Sequence, residues 1–170
     1  MKTILLDQIT GNKVPAVIFP LSLMSDSDLQ SDWAFNWVGL MKGNAEAFFY
    51  GIKTEAGSGR LEGLLMLQLV DQALLFMTNI EVHPEHVGKN GRLDRIAGSL
   101  IAFACLQSFK LGTGDYHGFL SFKSKHALIS LYREKYGAKL AVGQSMFFDP
   151  EAGKKLIRQY LGMDTNLSLR

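Results

Sequence analysis

The sequence predicts an α/β (α+β) fold, a mixed sheet with helices on both faces, in a single domain spanning residues 1–170. Three observations predict it. Two long apolar runs, LEGLLMLQLV and ALLFMTNIEV, are separated only by Asp71-Gln72 and read as an antiparallel hairpin. Downstream of them, helix-like and strand-like segments alternate, an order that yields a β-α-β crossover and neighbouring parallel strands. With 47% hydrophobic and 20% charged residues in 170, the chain has a globular composition and the length to bury a core without staples.

The elements follow in order. The start, MKTILLDQIT, has one lysine and a short apolar patch broken by Asp7 and Gln8, too short and too polar for a signal peptide. MSDSDLQSDWAFNWVGLMK reads as a helical region, with Ser and Asp as N-cap candidates ahead of an apolar run. AEAFFYGIK is short and aromatic, which suits a strand, and Gly57 to Arg60 (GSGR) form a turn. The near-continuous apolarity of the hairpin strands that follow indicates burial on both faces. A helix is expected from about Ala97 to Gly112, stopped by Gly112-Thr113-Gly114. YHGFLSF is the next strand, and HALISLYREKYG a helix closed by Gly137. AKLAVGQSMFFD is strand-like, and PEAGKKLIRQYLG is a last helix with Pro150 near its start.

Several function classes fall away. A net charge of +2 and a pI near 8.6 do not supply the concentrated basic face that general nucleic-acid binding needs. The single cysteine, Cys105, excludes an intramolecular disulfide and suits a reducing cytoplasm. No apolar run approaches the roughly 20 residues that span a bilayer. In HPEH, His83 and His86 are close, but Pro84 prevents a regular metal-binding helix and no third ligand is evident, so no metal is expected. Cys105 reads as a small buried residue rather than a nucleophile.

The informative stretch is VGKNGRLDRIAGSLIAFAC, where a glycine- and charge-rich loop turns into an apolar helix. A helix N-terminus offers unpaired N–H groups and about half a positive charge, a ready anion site. Small residues must let the backbone approach the anion, and arginines upstream can add charge-assisted bonds. Ala97, Gly98 and Ser99 are the small residues here, with Arg92 and Arg95 just before them. The alternative is an ordinary basic surface loop ahead of a buried helix.

Order and local pattern together resemble the GNAT N-acetyltransferase superfamily. A strand ending NIEVHPEH, this loop, an amphipathic helix, a strand and a helix carrying LYREKYGA follow that family's order, best from about Leu61 to Asp149. Arg92 falls on the first position of the family's R/Q-x-x-G-x-G/A loop, Arg95 on its first glycine and Ala97 on its second small position. Lys125 and Leu128 stand where asparagine and alanine are usual, Tyr132 matches the family tyrosine, and Gly137-Ala138 match the glycine pair. Arginine in place of glycine and the added VGKNG segment are the two departures.

The resemblance implies a mostly antiparallel sheet with one splayed parallel pair, and direct acetyl transfer from acetyl-CoA to an amine. The cofactor contacts it implies are Ile80, Val82, Arg92, Arg95, Ala97, Gly98, Ser99 and Phe119, with strands Thr78–Val82 and His117–Leu120 flanking the thioester. Tyr132 is the implied acid for the departing thiolate, since a phenol near pKa 10 is protonated at neutral pH. Its alternative is core packing. Glu81 is the candidate base, alternating with Ile80 and Val82 along the strand so as to face a groove; its alternative is a solvated strand-end charge, and His83 is a substitute. Trp33, Phe35 and Trp37 line an acceptor pocket or pack a core. The expected partner is a small-molecule or peptide amine, without nucleic acid or membrane, and a homodimer is one expected assembly. Two other classes compete: a non-catalytic acyl-CoA-binding or regulatory module of the same fold, and an interaction domain that uses its aromatic N-terminal half.

Overall fold

The computed structural model describes residues 1–21, 29 and 32–165. Strands β1 (Lys2–Asp7) and β2 (Lys13–Pro20) precede α1 (Trp37–Gly43). Next come β3 (Phe48–Thr54), β4 (Gly63–Val70), β5 (Leu74–Val82), β6 (Leu93–Asp94) and α2 (Ile96–Leu111). The chain continues through β7 (Leu120–Lys123), α3 (Ile129–Tyr136), β8 (Lys139–Leu140), β9 (Ser145–Phe148) and α4 (Pro150–Leu156). The strands hydrogen-bond in the order β6-β1-β2-β3-β4-β5-β7-β9-β8. β5 and β7 run parallel from Leu75↔Leu120 to Met77↔Phe122, where their register ends.

Contacts divide the chain into two compact units, residues 1–66 with 79–100 and residues 67–78 with 101–170. In the first, β1 pairs antiparallel with β2 on one edge and with β6 on the other, so the short strand ahead of α2 is tied to the N-terminal hairpin. Its core includes Leu21, Leu29, Trp37, Leu61, Leu64 and Met66. The first turn of α2 sits on β4 at Gly63, where a Cβ would lie 2.8 Å from Ile96 Cγ2. That close approach is what the glycine provides.

In the second unit, β7 pairs antiparallel with β9, and β9 with β8. Phe122 stacks on Phe148 at 5.2 Å, and Tyr132 leans on Phe122 at 4.7 Å. Asp149 caps α4, its carboxylate accepting the Ala152 N–H at 2.8 Å with Pro150 following it. The turn between β4 and β5 needs no glycine. Asp71 and Gln72 both take positive φ (52° and 55°), and Ala73 N–H donates to Val70 O at 3.0 Å. That is the two-residue geometry whose twist suits a hairpin.

Residues Ile101 to Leu106 of α2 are all buried, including Cys105, whose thiol burial pushes far above its usual range. A helix apolar all round is a core helix, and α2 is one. No helix among the described residues is long and apolar enough to cross a membrane.

Three expectations are corrected. The strand predicted at YHGFLSF begins only at Leu120, because Gly114–Tyr116 form a 3₁₀ turn and Gly118 takes φ +81°. A Cβ at Gly118 would lie 2.5 Å from Phe109 Cε1, so the segment is packed as a bend. AKLAVGQSMFFD is two short strands around a turn, not one strand. In the predicted helix at MSDSDLQSDWAFNWVGLMK, the Ser and Asp caps at 25–28 and 31 lie outside the described residues, and the helix that is described starts at Trp37. Asn36 caps it, accepting the Gly39 N–H at 3.0 Å.

Candidate functional site

The loop from His83 to Arg95 carries the departures from the family pattern, and its geometry explains both. His83 to His86 make one 3₁₀ turn begun by Pro84. The added residues then form a tight turn: Gly88 takes φ +85°, and Gly91 N–H donates to Gly88 O at 3.1 Å. Gly91 lies so close to the preceding turn that a Cβ there would be 2.3 Å from the His86 carbonyl oxygen. The VGKNG segment thus folds the chain back over His86 and delivers Leu93-Asp94 to β1.

Arg95 stands where the family pattern has glycine, and it adopts a glycine conformation, φ +78°. For a side-chain-bearing residue the left-handed region costs roughly 1–2 kcal/mol. Local bonds hold it there. Its N–H donates to Asp94 Oδ1 (2.7 Å) and its Nε to Ile4 O (3.1 Å), while its carbonyl accepts the Ser99 N–H (2.9 Å). The backbone requirement that glycine usually meets is retained although the glycine is gone. Arg95→Ala loses the Ile4 bond and keeps the strain, whereas Arg95→Gly loses the bond and relieves the strain. We therefore expect the glycine variant to be the more stable of the two by about 1 kcal/mol, inverting their usual order. Urea denaturation of both checks this, and a more stable alanine variant would show that the φ carries no strain.

The remaining candidates on α2 divide. Ala97 is half-buried and Gly98 buried at the start of the helix, where the first amides have no intrahelical acceptor. Ser99 is fully buried, its hydroxyl paired with Thr3 Oγ1 at 3.0 Å and its amide with Arg95. Both its polar groups are engaged inside the unit. Arg92 is exposed, and its carbonyl accepts the Gln8 N–H at 2.8 Å.

Ile80 and Val82 lie half-buried at the end of β5. His83 N–H donates to Glu62 O (2.9 Å), so alternation along the strand turns the amides of Ile80 and Val82 to the opposite edge. The β7 register has ended before either residue. Glu81 is held from the N-terminal side. Its Oε1 accepts from Phe35 N and Trp37 Nε1, both at 3.0 Å, and its Oε2 from Ala34 N at 2.6 Å. Trp37 is fully buried in the core, while Trp33 packs edge-on against the His83 ring at 5.4 Å. His83 Nδ1 accepts the Glu85 N–H at 3.3 Å, and its Nε2 is 4.0 Å from Asp32.

In the second unit, Phe119 is half-buried just before β7, its ring 6.2 Å from Phe147. Tyr132, on α3, packs its ring between Phe122 and Tyr136. Its hydroxyl has no hydrogen-bond partner among the described residues, although every fully buried polar side-chain atom among them has one. Burial pushes this phenol above its usual range, so at neutral pH it is a donor.

The sequence reading missed a charged network in the first unit. Glu62, in the apolar strand context of LEGLLMLQLV, is buried; its Oε2 contacts His86 Nε2 at 2.5 Å and Arg60 Nη2 at 3.0 Å. Arg60 also reaches Glu85 at 2.5 Å. Burial pushes the Glu62 carboxyl up, but the bonds from His86 and Arg60 outweigh it and hold the group below its usual range. The network lines a cavity of about 380 Å³, together with Asp7 and Arg92. The available signal was a lone glutamate beside an apolar run and a histidine in HPEH, each of which needs a partner once buried. No group of three or more His, Cys, Asp or Glu suited to a metal ion occurs among the described residues.

No protein-family model and no curated protein matches this sequence. Solved structures do match. The AtaTR complex with acetyl-CoA aligns over 84% of this chain and 98% of its own, at 14% identity and a TM-score of 0.59. A GNAT family acetyltransferase from Elizabethkingia anophelis, with acetyl-CoA bound, aligns over 74% and 77% at 16% identity, TM-score 0.54. The KacTA–DNA complex aligns over 85% and 99% at 10% identity, TM-score 0.60.

Proposed function

From the GNAT acetyltransferase fold of this chain, we propose that it is an N-acetyltransferase moving an acetyl group from acetyl-CoA to an amine. The observation that carries this reading is the junction at Arg92–Gly98. A left-handed residue in the glycine position leads into a 16-residue helix that begins with small residues and open amides. The same fold binds acetyl-CoA in the AtaTR and Elizabethkingia structures.

In this reading the amides of Ile96, Ala97 and Gly98 receive the pyrophosphate at the positive end of α2. Arg92, exposed in the loop ahead of α2, is assigned charge-assisted bonds to it. The outward amides of Ile80 and Val82 are assigned to the acyl donor, and Phe119 to its apolar part. The amine nitrogen attacks the thioester carbonyl, its new C–N bond replacing the C–S bond. Tyr132 gives its proton to the departing thiolate, and the amine proton leaves to a base, the role assigned to Glu81.

Glu81 also supports the second reading, a binding module without catalysis, because three donors already occupy its carboxylate. Since AtaT was solved with a segment of the antitoxin AtaR and KacTA with DNA, acceptors other than small amines are included in the test.

Coenzyme A at millimolar concentration is expected to raise the melting temperature, by about 2.7 kcal/mol of linkage at 100 times its Kd, while adenosine raises it much less. Thiol release is then followed with small amines, a lysine peptide and an amine-bearing nucleic acid. Coenzyme A binding without release in any arm supports the binding module. No melting shift with coenzyme A or acetyl-CoA overturns both readings.

A further inference from the structure

His86 has no place in the chemistry above, yet it is the most enclosed ionisable side chain of the loop, with 0% of its side chain exposed. Both its nitrogens have defined partners. Leu93 N–H donates to Nδ1 at 3.2 Å, so Nδ1 holds a lone pair. The proton therefore sits on Nε2 and points at Glu62 Oε2, 2.5 Å away. Glu62 is steadied in turn by Arg60, and Arg60 by Glu85 of the same loop. The ring thus bridges Glu62, just ahead of β4, to Leu93, the first residue of β6. Three residues later α2 begins with the amides assigned to the pyrophosphate.

We infer that His86, fixed as its Nε2–H tautomer by Glu62, is the positioning residue of the acyl-CoA loop: its Nδ1 holds the Leu93 amide and so sets where the N-terminus of α2 presents its donors. The inference rests on the acetyl-CoA reading above. It also gives the VGKNG segment a purpose. That turn brings Leu93 back over the His86 ring, and the contact of Gly91 with the His86 carbonyl makes the return tight. The segment converts an open loop into one registered on a buried side chain.

Asparagine and glutamine separate the two nitrogens. His86→Asn keeps an acceptor near the Nδ1 position, whereas His86→Gln keeps a donor near Nε2 and leaves the Leu93 N–H unpaired. Coenzyme A affinity is measured by calorimetry, and Leu93 amide exchange by mass spectrometry in the free protein. His86→Gln should raise the coenzyme A Kd by about tenfold and speed Leu93 exchange, with kcat at saturating acetyl-CoA little changed. His86→Asn should restore affinity to within about threefold of wild type, which a residue serving only the core would not do.

Should both histidine variants fail to fold, Gly91→Ala leaves the buried pair intact and pushes the return strand off His86. The same loss of affinity is expected from it. Long-range ¹H–¹⁵N spectra of the wild-type imidazole read the tautomer directly. An Nδ1–H or doubly protonated ring at neutral pH overturns the inference, as does unchanged affinity in His86→Gln and Gly91→Ala. If wild-type protein binds no coenzyme A, the acetyl-CoA reading fails and takes the ligand with it. Leu93 exchange in the free protein still decides whether His86 sets the loop, so the two failures are distinguishable.

Discussion

Tyr132→Phe should lower turnover by about 10²–10⁴-fold while leaving the coenzyme A Kd and the melting temperature close to wild type. The structure makes this substitution unusually clean. The Tyr132 hydroxyl bonds nothing among the described residues, so its removal orphans none of them, and the ring keeps its contacts with Phe122 and Tyr136. Burial has raised the phenol above its usual range, so the wild-type protein presents the protonated form throughout the neutral range. An acid that protonates the thiolate acts only as the C–S bond breaks, so its loss should appear in kcat and in kcat/KM alike. Initial rates at saturating acetyl-CoA with the best amine of the panel, beside calorimetric coenzyme A binding, are the measurements. Wild-type turnover in Tyr132→Phe would assign the residue to packing, and loss of affinity with retained kcat would place it against the cofactor.

The β4–β5 hairpin and the helices α2, α3 and α4 were legible because their signals are local. Apolar runs of strand length flank Asp71-Gln72, glycine follows α3, and Asp149-Pro150 opens α4. β1, β2 and β6 were not legible. MKTILLDQIT and KVPAVIFP do not alternate apolar with polar residues, although buried and more exposed positions largely alternate in the folded strands, and β6 is two residues long. Those strands are specified by pairing with each other, a non-local condition that a window of sequence does not carry. The shortened strand at YHGFLSF has a related cause. Gly118 takes a positive φ and packs against Phe109, nine residues upstream, a contact that local propensity does not include.

The site divides along the same line. Arg95 was legible as a residue in a glycine's place, but not that its backbone keeps the glycine's conformation, because the Ile4 carbonyl and the Asp94 carboxylate that hold it there come from the fold. Ser99 is a small residue at a helix start, which fits an anion site on sequence grounds; its burial against Thr3 is decided 96 residues away. In HPEH the sequence offers only spacing, which raises a metal motif without supplying a third ligand. The partner that defines His86 is Glu62, just ahead of β4 and 24 residues away in the chain, and the β4–β5 hairpin brings them together.

Glu81→Ala is expected to destabilise the protein by about 2–4 kcal/mol, because it removes charge-assisted acceptors from three N–H groups at once. The three are unequal. Ala34 and Phe35 are exposed, and their amides recover water as an acceptor. Trp37 is fully buried, and its indole N–H loses its carboxylate acceptor away from bulk water. For a chain of this size the change corresponds to a fall of roughly 5–15 °C in melting temperature. Glu81→Gln keeps one carbonyl oxygen but turns an NH₂ towards a donor, so it should lie between wild type and alanine. A double-mutant cycle with Trp37→Phe, which removes the indole N–H, should return a coupling of about 1 kcal/mol or more. These values decide between anchor and base. An anchor loses stability in proportion to the donors left unpaired, and its activity follows the folded fraction. A base that happens to accept three hydrogen bonds loses rate in Glu81→Gln well beyond its loss of stability, and the acidic limb of the pH–rate profile goes with it. Full stability with abolished turnover would make Glu81 the base alone, and full turnover in folded Glu81→Gln would move the base elsewhere.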